Sequence, residues 1–388
     1  MRQDVLQRAA RLSREKLAPR AADYDRAAVN PVESWRDLHA EGLLATTVPV
    51  THGGLGLDMP TYVAVIRTLA QGCANTAMTV HMHSTVMRFI DALGTEAQKR
   101  RYFPEVVRGG KLFGSWGSEP AVSLSRTFLM ETVVHDEPDA WVVDGIKYFC
   151  TMALGAAHYM VWCALDGGTD MTKSLLPVLV PADADGISTD NKWDTLGMRA
   201  TFSPTVRLTR VRAPREAALG DPGAALRVGV VEVFSLGYAA IYVGIAEGSL
   251  AFALDYAKKR VVRPENIPVA HDPTVQRHIG ELSVHLEAAR LVLDQAAAQW
   301  ETADLTDKAM LANKAKYLAT EVGLLVTSKV IQLVGGRGAY KDYPAERAFR
   351  DLRTSTLMPP TMDRMLEAIG KTALGIETGM FNVSGEPR

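Results

Sequence analysis

Proton chemistry needs a side chain that titrates within reach of a reacting atom, and this sequence offers few such groups at telling positions. Glu232 interrupts the long apolar stretch VVEVFSLGYAAIYVGIAEG, and His83 stands in VHMHSTVMRF, where it is a titratable group able to face a cavity or to be satisfied in a core. Asp363 and Glu367 follow Pro359 and Pro360 in LMPPTMDRMLEAIGK, where acids at a helix start also serve the helix dipole. Arg260 closes the run YAKKR, and its guanidinium fork suits phosphate oxygens, although such a run is also a solvated helix end. Gly335, Gly336 and Gly338 after Gln332 would let backbone approach a ligand closely. Thr151, after DGIKYFC, could place a hydroxyl on a ligand or simply favour a strand.

Three textures must position these groups. Residues 1–110 carry apolar residues at helical spacing, as in DVLQRAARLSREKL, and predict a helical domain. Residues 111–222 turn to short runs rich in Val, Thr and aromatics, such as AWVVDGIKYF and YMVWCAL, and predict a small antiparallel barrel or sandwich. The Asp144-Gly145 pair reads there as a hairpin turn. Residues 223–388 return to long helical stretches that predict a bundle, and two consecutive prolines predict a rigid turn between two of its helices.

Composition bounds the partners. The 388 residues carry 43 Lys and Arg against 44 Asp and Glu, a balance that favours neither nucleic acid nor an anionic membrane. Cys73, Cys150 and Cys163 lack CxxC spacing, which argues against a disulfide framework or a zinc site and for a reducing cytoplasm. The charged N-terminus lacks an apolar h-region, and no uncharged apolar run approaches about 18 residues, so no membrane segment is expected.

Local wording is more specific. VPVTHGGLGL, LGTEAQKRRYFPEVVRGG, GSEP, WVVDGIKYFCT, LGMRATFSPTVRLTRVRAPREAALG, GIAEGSLAFALDYAKKR, AKYLATE, QLVGGRGAYKDYPAERAFRD and IGKTALG, in this order, resemble the acyl-CoA dehydrogenase superfamily over nearly the whole chain. The resemblance implies an α+β multidomain fold: a helical domain, a central antiparallel β-barrel and a C-terminal four-helix bundle. It also implies FAD bound at a subunit interface of a homodimer or homotetramer, and no metal. Ser118 then bonds the pyrimidine side of the flavin, and Thr151 its N5, with Phe149 replacing the family's tryptophan. Arg260 reaches the pyrophosphate of the neighbouring subunit's FAD, and Gln332, Gly335, Gly336 and Gly338 flank its adenosine half. Thr361 matches the threonine after the family's catalytic glutamate. Two departures stand out: AVSLSRT replaces the pyrophosphate loop, leaving Ser123 or Ser125 as substitutes, and Arg263 replaces an aromatic near the adenine.

The catalytic glutamate itself is missing. In the family it follows Arg-Asp by eight residues, and eight beyond Asp351 is Pro359, with no Asp or Glu between Asp351 and Asp363. Its backbone N–H, which would donate to a thioester carbonyl, is missing too, because proline has none. The family's second location falls on Phe234, and Glu232 lies about 200° around the helix from it. Glu232 and His83 are therefore the remaining catalytic candidates. The resemblance implies α,β-desaturation of an acyl-CoA or acyl-carrier-protein thioester with a non-standard base, electrons leaving to an electron-transfer flavoprotein. Two alternatives stay open. One is a flavin-dependent monooxygenase of the same fold, using FAD or FMN and a flavin reductase, on another small molecule. The other is a non-catalytic subunit of a hetero-oligomer.

Overall fold

The computed structural model describes residues 2–122 and 129–376, so Ser123 and Ser125 lie outside the described residues. The chain begins with six helices: α1 (Arg2–Leu12), α2 (Ala18–Ala27), α3 (Val32–Ala40), α4 (Met59–Gly72), α5 (Ala74–Leu93) and α6 (Glu96–Val107). Local sequence sets their boundaries. Asp58 accepts from the Thr61 N–H to cap α4, Cys73 separates α4 from α5, and Thr95 with Gln98 closes a reciprocal capping box at α6. Helix α5 is buried on nearly every side, because it lies between the helical and β domains rather than on a surface.

The middle of the chain forms β1 (Phe113–Trp116), β2 (Val133–Glu137), β3 (Ala140–Lys147), β4 (His158–Leu165), the short helix α7 (Met171–Ser174), β5 (Leu175–Pro181), β6 (Ile187–Thr189) and β7 (Val206–Pro214). Strand β7 alternates buried Val206, Leu208 and Val211 with outward Arg207 and Arg212, the signature of one wet face. The sheet differs from the antiparallel expectation: β1 and β2 both pair with β4 in parallel, while the β2–β3, β3–β7, β4–β5 and β6–β7 ladders are antiparallel. The hairpin also sits elsewhere. Glu137 pairs with Ala140, so Pro138 and Asp139 make the turn, whereas Asp144 and Gly145 lie inside β3 at a register shift against β7. Gly145 is needed there because a Cβ would meet the Thr132 hydroxyl at 2.4 Å.

The C-terminal part contains α8 (Val231–Lys259), the small ribbon β8 (Val261–Val262) and β9 (Ile267–Pro268), then α9 (Pro273–Gln299), α10 (Leu305–Val334), α11 (Pro344–Ser355) and α12 (Met362–Ala373). Helix α8 and the stretch Leu305–Ala339 are long and apolar enough to cross a membrane by length and composition, but most of the apolar window of α8 is buried within this fold. Helices α4, α9, α10 and α11 surround it.

One junction ties all three parts together. Arg350 on α11 holds Asp25 of α2 at 2.7 Å, Glu346 at 2.6 Å and the Leu196 carbonyl at 2.9 Å. Its neighbour Asp351 is buried and accepts from the Met198 backbone N–H (2.6 Å) and from Asn75 on α5 (3.0 Å). Burial pushes the Asp351 carboxyl up to about 6, with the Met198 N–H and Arg347 pulling the other way.

Candidate functional site

The β-domain edge, α5, the start of α8, α10 and the α11–α12 turn enclose a cavity of about 820 Å³. Its wall includes Ser118, Phe149, Thr151, Phe234, Glu232, Pro359, Pro360 and Thr361, which the sequence scatters over more than half the chain. A second cleft, about 570 Å³, lies where α8 and α10 end and is lined by Arg260, Gly336, Arg337 and Tyr256. Gln332 is exposed on the last turns of α10, beside Gly335. Nothing lies within 4 Å of a Cβ built on Gly335 or Gly336, whereas Gly338 is already accounted for by the Ile331 carbonyl at 2.9 Å.

Local chemistry fixes the β-domain wall. Lys147 and Glu119 form a fully buried ion pair at 2.6 Å, and Glu119 also accepts from the backbone N–H groups of Glu131 and Thr132. Burial alone would raise the Glu119 carboxyl; Lys147 and the backbone donors more than offset that and hold it below its ordinary value. This pair anchors the segment carrying Ser118, whose carbonyl accepts from Tyr148 N–H at 2.8 Å. Just beyond, Phe149 takes φ +54° and is 62% exposed, with its ring edge-on to Trp193 at 6.3 Å. The left-handed backbone lets the Phe149 carbonyl accept from the Thr151 N–H at 2.8 Å and leaves the ring uncovered at the cavity wall. The Thr151 hydroxyl accepts from Ser203 at 3.1 Å and lies on the cavity wall.

The double proline is held from behind. Lys316, fully buried on α10, donates to the carbonyls of Met358 (2.7 Å) and Pro360 (2.9 Å), and its ammonium lies 5.2 Å from the Tyr238 ring centroid. Burial pushes Lys316 down to about 7. Sequence reading passed over this residue. The available signal was a lysine on the small-residue face of α10 formed by Ala312, Ala315, Ala319 and Gly323.

The proposed proton-transfer groups separate cleanly. His83 is no cavity residue: its Nε2 donates to the Leu44 carbonyl (3.1 Å), its Nδ1 accepts from Phe113 N–H (3.0 Å), and burial holds it near 4. His81, unremarked in the sequence, is similarly engaged. It donates from Nε2 to the Phe234 carbonyl (3.1 Å), which leaves Nδ1 to accept from the Tyr62 hydroxyl (2.7 Å). Gly237 admits this ring, since a Cβ there would sit 2.0 Å from His81 Cε1. Glu367 is occupied by Arg364 and Lys371, and Asp363 stands in the first turn of α12. Glu232 remains. It is 8% exposed, its Oε2 has no partner among the described residues, and burial raises its carboxyl against its own backbone N–H and Lys308. The helical-wheel separation from Phe234 does not keep it out, because the cavity wraps around the first turn of α8 and both residues line it.

The arrangement fits a flavin. A flat ring system would cover Phe149 together with Leu196 and Leu357, which line the same cavity and are 57% and 61% exposed. Ser118, Thr151 and Thr361 supply polar atoms around that apolar face, and Arg260 with Arg337 supplies cations at the second cleft.

Comparison with known proteins shows the family and the fold. Residues 2–110, 114–211 and 236–357 match the family models for the acyl-CoA dehydrogenase N-terminal, middle and C-terminal domains. The dibenzothiophene monooxygenase of Mycolicibacterium goodii is 28% identical over 369 residues, covering 89% of this chain and 88% of its own. The short-chain specific acyl-CoA dehydrogenase of Rattus norvegicus is also 28% identical, over 356 residues, covering 90% and 84%. The crystal structure of TdsC from Paenibacillus sp. A11-2 with FMN and indole superposes with a TM-score of 0.88 at 24% identity, over 98% of this chain and 100% of its own, and shows the shared fold.

Proposed function

Because this chain belongs to the acyl-CoA dehydrogenase family and is a flavin-dependent oxidoreductase, we propose that its reaction is oxygenation of an apolar small molecule rather than removal of an α-proton. Pro359 supports the reading: it lines the cavity, stands where the count from Asp351 puts the family's glutamate, and offers neither a base nor an N–H. Phe234 is equally inert at the second location, and both ring nitrogens of His81 and His83 are spent on fixed hydrogen bonds.

Bound reduced flavin supplies two electrons, so that one atom of O₂ enters the substrate and the other leaves as water. Within the chain, Ser118, Phe149, Thr151 and Thr361 hold the ring face, while Arg260, Gln332, Gly335, Gly336 and Gly338 reach a neighbouring subunit's cofactor in a homodimer or homotetramer. FAD is the family cofactor, and FMN is the variant to test. Phe234, Tyr238, Met82 and Trp162 exclude water on the substrate side. A flavin reductase is the partner that this reaction requires. The three buried, unpaired cysteines support a reducing compartment such as the cytoplasm.

One observation favours a second reading. The unpartnered, upshifted Glu232 carboxyl has the character of a general base, as desaturation of an acyl thioester with an electron-transfer flavoprotein would need. Anaerobic titration of the yellow protein with acyl-CoA thioesters separates the two. Oxygenation expects no bleaching, and expects products heavier by one oxygen when flavin is reduced externally and air admitted. Bleaching by a thioester, abolished in Glu232→Gln, establishes desaturation instead. A colourless protein that takes up no flavin would sink both.

A further inference from the structure

Two buried side-chain oxygens in the wall of the main cavity lack a partner among the described residues: Glu232 Oε2 and Thr354 Oγ1. The surrounding wall is mostly apolar, with Val231, Phe234 and Tyr238 on α8, though Ser235 on α8 and Thr306 and Asn313 on α10 also line it. Oε2 of a carboxylate in such a wall loses its water and gains no hydrogen bond from the described residues. Its place in the first turn of the 29-residue α8, at the positive end of the dipole, and Lys308 on α10 favour the charged form, while burial, the larger effect, raises the carboxyl. In its ionised form the carboxylate is acceptor-only, so a ligand that completes Oε2 in that form brings a donor.

We infer that Glu232 is a specificity-determining residue that selects substrates carrying an N–H on an apolar body, with the nitrogen against Oε2 and the body against the aromatic wall. A basic amine and a neutral N–H heterocycle share this chemistry. A site built to bond an N–H discriminates strongly against an isostere lacking it, because the protein group is then buried unpaired. The inference rests on the cavity being the substrate site of the proposed oxygenation, yet it concerns recognition alone.

The test reads binding to the oxidised, flavin-loaded protein through the flavin absorption spectrum, without reductant or turnover. Indole against benzothiophene supplies the neutral pair, and 2-aminoindane against indane the cationic one. The expected result is a preference of roughly ten- to hundred-fold for the N–H member of at least one pair. Glu232→Ala abolishes the preference and Glu232→Gln, which keeps shape and one acceptor, reduces it. Which pair responds identifies the amine or the heterocycle. Equal affinity within both pairs, no binding by either N–H compound, or a preference unchanged in Glu232→Ala overturns the inference. N–H binding without oxygenated product would instead sink the oxygenation reading and leave this one standing.

Discussion

Lys316 shows how much a single residue can decide here. Its ammonium bridges two carbonyls of the proline turn from a fully buried site, with no carboxylate paired to it among the described residues. The folded pKa of about 7 lies below the unfolded value, so the native state binds fewer protons than the unfolded chain between pH 7 and about 10.4. Below pH 7 the full penalty for the buried charge is present; it is released as pH rises through that window. Urea unfolding of wild type and Lys316→Met should therefore show wild type gaining on the variant between pH 6.5 and 9, by on the order of a few kcal/mol. A difference constant with pH would mean that Lys316 does not titrate in the fold. On the proposal that the flavin lies against the Thr151 wall of the cavity, Thr151→Val removes one hydroxyl with little change of shape and should weaken flavin binding by roughly two- to ten-fold in a fluorescence titration. The family phrase singled out Thr151 and a count from Asp351 singled out Pro359, and both line the cavity. Lys316 and His81 were not legible, because their roles depend on carbonyls far away in sequence.

At the scale of elements, helices were read more easily than strands. Long periodic stretches such as α9 and α10 announce themselves, and α8 does so by length even though burial on all sides erases its polar face. The hairpin did not, because an Asp-Gly pair serves a bulge as readily as a turn when Thr132 crowds the strand. Nor did the parallel pairing of β1 and β2 with β4, since parallel partners are joined by long connections that leave no local signal. The contact of α5 with α8 is equally non-local: Gly237 exists for the His81 ring. Gly237→Ala should overpack that contact and destabilise the protein by ~1–3 kcal/mol in thermal or urea melts. A neutral effect would show that the two helices part without resistance.

Across the whole molecule, the Arg350–Asp351 junction joins the helical, β and bundle parts at one buried point. Asp351→Ala leaves the Met198 N–H and the Asn75 amide unpaired and should lower stability by roughly 2–4 kcal/mol. Its pH dependence has a definite sign. The folded Asp351 holds its proton up to about 6 while the unfolded group releases it near 3.9, so the native state binds more protons in that interval. The stability advantage of wild type over Asp351→Ala should thus shrink as pH rises from about 4 to 6 and stay level above. An advantage that grows over that range would contradict the raised value.

That junction also bears on position 359. The turn after α11 is moored by Asp351 on one side and by Lys316 through the carbonyls of residues 358 and 360 on the other. Neither mooring uses the side chain of residue 359, which simply projects into the cavity wall. Position 359 is therefore an interchangeable slot at a fixed address. Exchanging the side chain at 359 removes none of the hydrogen bonds that hold the turn.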